Sequence, residues 1–320
     1  MTFPDYFRTA EVNGIRLNVA EAGTGPLVIM CHGFPDLSCT WRHQFRALVD
    51  AGYRVIAPDQ RGYGRSDHPS EIEAYDILQL TDDLLAILDQ AGEERAVFIG
   101  HDWGALLTWA IAGRAPDRVA GVAGLSVPFT PRPPVPPLRR FKELADDGFF
   151  YIVYFQQPGV AEAELERDVP TSLRRLLANV NGDTSGESLS ALLGPDDGRG
   201  LVDRLPEVVR LPDWFTQDDL DYYSAEFTRT GFSGGLNWYR NMDRNWTLTA
   251  DFADKPITPP ALFIAGASDP ILTLTAPSSM ADRVEDLRGT VLISGAGHWV
   301  HLERPTAVNS ALLSFLADIT

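Results

Sequence analysis

Hydrophobic residues in the first 130 positions fall into two alternating patterns. Short apolar runs, PLVIMC at 26–31, YRVIAP at 53–58, AVFIG at 96–100 and VAGVAGLSV at 119–127, have the length and β-branched content of buried strands. Between them Ile77, Leu80, Leu84, Ile87 and Leu88 recur at helical spacing on one stripe. Strand–helix–strand alternation predicts an α/β fold, a mostly parallel central sheet with helices on both faces. The alternation stops at PRPPVPP (131–137), which reads as a stiff arm rather than a loose linker. Helical, aromatic-rich text follows: FFYIVYFQQPG, DWFTQDDLDYYSAEF and LNWYRNMDRNW, with NGDTSGES and GPDDGRG reading as loops. Strand text returns with PPALFIAG and GTVLISG, and a last helix closes the chain. The expected division is a core over 1–130, an inserted helical cap over 131–250, and a second core segment over 251–320.

Composition narrows the partners. The 320 residues carry 27 Lys plus Arg against 44 Asp plus Glu, a net charge of −17. Without a basic run, such a surface repels nucleic acid and anionic membranes. The opening MTFPDYFRTAEVNG has neither a basic nor an apolar signal region, and no apolar stretch approaches the ~18 residues of a membrane span. Cys31 and Cys39 are the only cysteines, too few and too close for a disulfide framework. The expectation is a cytoplasmic protein with free thiols.

The chemistry gathers at predicted strand ends. Gly100-His101-Asp102-Trp103-Gly104 places an aspartate where hydrolases with a G-x-S-x-G turn carry serine. Asp269 follows the LFIAG strand, and His298 sits in a Gly-rich loop after VLISG. Nucleophile, acid, histidine is the chain order of α/β-hydrolases. In such folds the loop after the first inner strand, here CHGFPD, supplies one oxyanion N–H, and the residue after the nucleophile the other. Phe34 and Trp103 occupy those places. A serine attacking an sp3 carbon would leave an ether that water cannot cleave; a carboxylate leaves an ester, which water can. His298 and His301 also offer an H-x-x-H spacing, but no carboxylate-rich helix accompanies it, so no metal is expected. His32 and His101 flank the oxyanion positions as loop braces, and His43 and His68 read as packing or surface residues.

Over nearly its whole length the chain resembles the epoxide hydrolases of the α/β-hydrolase superfamily. The resemblance rests on HGFPD, APDQRGYGRSD, GHDWGALLTWA, FYIVYFQQPGVAEAE, GFSGGLNWYRNMDRNW, ASDP and GHWVHLERP. It implies an α/β-hydrolase core with a helical cap, no cofactor, and a small hydrophobic epoxide and water as reactants. It carries a detoxifying role with it and leaves room for a homo-oligomer. By resemblance Asp102 is the nucleophile, His298 the base and Asp269 its orienting acid. Tyr151 and Tyr239 are the cap phenols that hold the epoxide oxygen, Tyr154 being the competitor of Tyr151. Phe34, Pro35, Trp103, Phe155 and Trp299 are expected in the substrate pocket. A dehalogenase of the same fold, haloalkane or haloacid, is the nearest rival. Against it stand Phe34 where haloalkane dehalogenases have Asn, and Trp103 where fluoroacetate dehalogenases have Arg. A non-catalytic ligand sensor on the same fold is the second alternative.

Overall fold

The structure, a computed structural model, describes residues 7–182 and 185–319. Its strands are β1 (Phe7–Val12), β2 (Ile15–Ala22), β3 (Leu27–Cys31), β4 (Arg54–Pro58), β5 (Ala96–His101), β6 (Val119–Leu125), β7 (Phe149–Phe150), β8 (Leu193–Gly194), β9 (Ala261–Gly266) and β10 (Leu287–Ile293). Eight form one sheet in the order β1-β2-β4-β3-β5-β6-β9-β10. From β4 to β10 neighbours run parallel, while β1 and β2 add an antiparallel edge. That edge was not foreseen. Its signal is the pair Asn13-Gly14 with both φ angles positive, a tight hairpin turn between short alternating strands.

Continuous apolar text in the central strands follows from burial on both faces. Odd positions Ile29 and Cys31 join a cluster with Phe98 and Val122. Even positions Val28 and Met30 join another, with Val97 and Ile99. The first face is covered by α2 (Ile77–Gln90) and α3 (Trp103–Arg114), the second by α1 (Arg42–Asp50) and the last helix, α13 (Pro305–Ile319). All five residues of the predicted α2 stripe are buried. Asp76 starts that helix by accepting hydrogen bonds from the Leu78 and Gln79 N–H groups.

Between β6 and β9 the chain is helical: α4 (Pro137–Ala145), α5 (Tyr151–Tyr154), α6 (Val160–Leu165), α7 (Val169–Asn179), α8 (Ser185–Leu192), α9 (Leu201–Arg204), α10 (Gln217–Thr230), α11 (Ser233–Arg240) and α12 (Met242–Leu248). Two expectations need correction here. The NGDTSGES stretch is not a loop throughout, because its last four residues open α8, while Asp183 and Thr184 lie outside the described residues. The segment also contains a two-residue antiparallel ladder of β7 and β8, too short to leave a strand pattern in sequence. The Pro-rich arm is pinned to α12 from both sides. Arg132 Nε donates to the Trp246 carbonyl at 3.1 Å, and Trp246 Nε1 donates to the Pro133 carbonyl at 2.8 Å.

Candidate active site

Asp102 stands at the junction of β5 and α3 with φ 53° and ψ −120°, outside the ordinary allowed regions for a side-chain-bearing residue. A turn this sharp brings the helix against neighbouring backbone. A Cβ on Gly104 would lie 2.0 Å from the Cys31 carbonyl oxygen, and one on Gly33 would lie 2.4 Å from Asp102 Oδ1. Only glycine fits either place. The strained turn lifts the Asp102 carboxylate out of the helix and into the space between core and cap.

The Phe34 N–H donates to Asp102 Oδ1 at 2.8 Å, and the Trp103 N–H favours the same carboxylate's charged form. Burial nevertheless raises the Asp102 pKa, against the pull of His298 and these two amides. Its other oxygen, Oδ2, lies 3.7 Å from His298 Nε2, beyond hydrogen-bond length. His298 Nδ1–H donates to Asp269 Oδ2 at 3.0 Å, which points Nε2 at Asp102. Burial alone would lower the His298 pKa; the Asp269 charge and hydrogen bond, then Asp102, outweigh it and raise the value to about 9. The carbonyl of His298 is held by Ser126 Oγ at 2.7 Å and by the His101 Nε2–H at 2.8 Å. Its N–H reaches the Val180 carbonyl at 3.1 Å, tying the histidine loop to the cap segment.

A cavity of about 380 Å³ opens from Asp102 between core and cap. Trp103, Tyr151 and Tyr239 line it, the two tyrosine rings 6.1 Å apart between centroids. Burial raises both phenol pKa values and the Asp102 charge raises them further, so both stay protonated at neutral pH. Tyr154 faces elsewhere: its hydroxyl donates to Glu164 Oε2 at 2.9 Å. Four residues expected in the pocket are not among those lining this cavity. Phe34 packs edge-on against Phe155 and Tyr239, and Phe155 packs edge-on against Tyr239. Pro35 is buried beside Phe34, and Trp299 packs on His101 and His298. Large apolar residues near a site in sequence back its wall as readily as they form its surface.

The layer beneath Asp102, Asp269 and His298 was only partly visible in sequence. His32 braces the oxyanion loop as expected, its Nε2 accepting from the Gln60 N–H at 3.0 Å. Asp36 was missed: it accepts from the cap residue Tyr223 and from the Leu37 N–H at 2.8 Å, linking the Phe34 loop to α10. Burial pushes the Asp36 pKa up to about 7. His301, rather than pairing with His298, meets Thr40 Oγ1 at 2.6 Å, and its ring stands 4.5 Å from that of His101. Asp36, His101 and His301 bring ligating atoms within 4.8 Å of one another. The sequence separates these residues by up to 265 positions, and no local spacing announces them.

The chain is similar to known proteins over nearly all of its length. A model of the alpha/beta hydrolase fold matches residues 26–305. Epoxide hydrolase A of Mycobacterium tuberculosis (strain ATCC 25618 / H37Rv) is 53% identical over 98% of this chain and 97% of its own. Among solved structures, epoxide hydrolase A from Mycobacterium thermoresistibile superposes with a TM-score of 0.94 at 54% identity, covering 98% of both chains. An epoxide hydrolase from an endophytic Streptomyces gives a TM-score of 0.94 at 42% identity, over 97% of this chain and 95% of that one. With relatives of this name over 98% of its length, the chain belongs to the epoxide hydrolases, enzymes of the alpha/beta hydrolase fold.

Proposed function

We propose that this enzyme hydrolyses an epoxide to a vicinal diol through an ester on Asp102. The observation that carries the reading is the division of labour between the two Asp102 oxygens. Oδ1 already accepts the Phe34 N–H, while Oδ2 lies 3.7 Å from His298 Nε2, and Asp102 lines the cavity. Attack by Oδ2 on an epoxide carbon opens the ring and leaves Oδ1 as the ester carbonyl, seated between N–H donors. Tyr151 and Tyr239, across the cavity, hydrogen-bond the epoxide oxygen and deliver a proton as its charge develops.

Esterification removes the Asp102 charge. One of the forces holding the His298 pKa up then disappears, and the imidazole becomes the neutral base that hydrolysis requires. It takes a proton from water, which attacks the ester carbon. The tetrahedral oxyanion forms on Oδ1, where the Phe34 and Trp103 N–H groups receive it, each such donor worth ~10²–10³ in rate. Asp269 keeps the proton of the imidazole on Nδ1 throughout. As the tetrahedral intermediate collapses, the leaving diol oxygen takes a proton from the His298 imidazolium. The proton of the acid so released returns to the tyrosine that had protonated the epoxide oxygen, which restores Asp102 as the carboxylate.

The test is trapping. His298→Gln incubated with epoxide should gain one substrate mass on the Asp102 peptide and stall there. The wild-type enzyme after a single turnover in ¹⁸O-water should carry the label on Asp102, with most first-turnover diol unlabelled. Diol labelled directly, with no adduct in the variant, would show that water attacks the epoxide itself and overturn the ester.

A further inference from the structure

We propose that the outer end of the cavity is a carboxylate subsite, so that the preferred substrates are epoxides on an apolar chain or ring ending in an acid. The inference rests on the epoxide reading above and concerns the other end of the same molecule. At its inner end the cavity touches Asp102 and the two tyrosines, and its wall then becomes apolar, with Leu106, Phe141 and Phe252 among the lining residues. The outer end is marked by exposure: Leu144 of α4 lines the cavity yet is 48% exposed. Arg140, one helical turn before Leu144, and Arg132, on the arm leading into α4, line it too.

These two guanidinium groups are unusual in this protein. Acidic residues outnumber basic ones 44 to 27, and most arginines of the surface meet a carboxylate. Among the described residues, neither Arg132 nor Arg140 has one. Nearby carboxylates are engaged elsewhere: Glu143 pairs with Arg139, and Asp243 accepts from the Leu138 N–H at 2.9 Å. Arg132 is also held in place, its guanidinium 3.8 Å above the Trp246 ring and its Nε bound to the Trp246 carbonyl. Its terminal N–H groups remain for an oxygen anion. A fixed arginine and an exposed one beside an apolar cavity match a carboxylate, which accepts paired N–H donors in one plane. The neutral ester of the same acid offers no charge to either group.

The experiment compares kcat/KM for ω-epoxy carboxylic acids of increasing chain length with their methyl esters. At the length that spans the cavity the acid should be favoured by roughly 5- to 30-fold, mostly through KM. Salt near 1 M, where the screening length is ~3 Å, should shrink the preference. Arg140→Gln and Arg132→Gln should each reduce the acid-to-ester ratio, and the double variant should bring the two substrates level. Arg132→Lys, which keeps the charge, should retain most of the ratio and so separate lost charge from a disturbed Trp246 contact. Acid and ester used equally at every length, or a ratio unmoved in the double variant, would overturn the subsite while leaving epoxide hydrolysis intact. Failure to hydrolyse either form at any length, together with simple neutral epoxides, would overturn the underlying reading and this inference with it.

Discussion

Two phenols aimed at one developing alkoxide should partly stand in for each other. Tyr151 and Tyr239 line the cavity with Asp102, and the Asp102 charge acts on both, so each is placed to donate. Losing one hydrogen bond to a charged oxygen costs ~1.5–3 kcal/mol, or roughly 10- to 150-fold in rate. Tyr151→Phe and Tyr239→Phe should each slow ester formation by that factor while ester hydrolysis keeps its rate. The double variant should form almost no ester. Pre-steady-state tryptophan quenching separates the two steps, since Trp103 adjoins Asp102. Tyr154→Phe is the comparison: its hydroxyl is spent on Glu164, and ester formation should continue at the wild-type rate. The choice between Tyr151 and Tyr154 was open in sequence because both lie near one helical face. Only the tertiary structure shows which of them the cavity reaches. Asp102, Asp269 and His298 stood out for the opposite reason: Asp102 directly follows β5, Asp269 and His298 sit in the loops just after β9 and β10, and the structure brings the three side chains together.

At the scale of elements, the most constrained is α3, whose first turn lies against the end of β3. Gly104→Ala would set a methyl 2.0 Å from the Cys31 carbonyl, and backbone cannot step aside as a side chain can. The helix must back away and take the Asp102 turn with it. The expected cost is about 3 kcal/mol, a fall in Tm of roughly 5–10 °C, and loss of ester formation. Gly113, near the other end of the same helix, supplies the contrast. A Cβ there meets nothing closer than 3.6 Å, so Gly113→Ala should leave Tm unchanged or raise it slightly through helix propensity. Thermal melts of the two variants side by side check both halves, and equal losses would show that helix packing, not the turn, sets the constraint. Elements were readable where a pattern ran long enough to fix a period, as in the α2 stripe and the inner strands β3 to β6. They were not where pairing with a distant partner decides the conformation. Phe149–Phe150 is a strand only because Leu193–Gly194 lies beside it. The β1–β2 hairpin went unread because its signal lies in two turn residues, Asn13 and Gly14, rather than in hydrophobic periodicity.

Across the whole molecule the buried titratable groups make stability depend on pH, and their signs can be worked out. His298 is raised in the fold from 6.5 to about 9, first against burial and then by Asp269 and Asp102. A raised histidine contributes stability that is complete below its unfolded pKa and is lost as pH rises through the folded one. The fold should therefore weaken between pH 6.5 and about 9. Asp36, pushed up by burial to about 7, has the same sign in a lower window: the folded state keeps its proton between 3.8 and about 7, so that contribution is already lost by neutral pH. On the acid side the buried His32, lowered to about 4 by desolvation, opposes it: stability gained from neutral His32 is lost as pH falls below 6.5. The net charge of −17 adds self-repulsion that grows on the alkaline side. Melting temperature should thus decline from near-neutral pH toward alkaline pH. Asp102→Asn isolates the active-site share. It removes a carboxylate that raises the His298 pKa while keeping the side chain's shape, so the histidine should titrate lower and the alkaline decline should shrink. The Asp269 contribution persists, so the decline should not vanish. NMR titration of the His298 ring in the two proteins, alongside melts across the same pH range, checks both parts. An unshifted histidine in Asp102→Asn would mean that the nucleophile's charge does not set the pKa of the base. Esterification could not then be what readies His298 for the second half of the reaction.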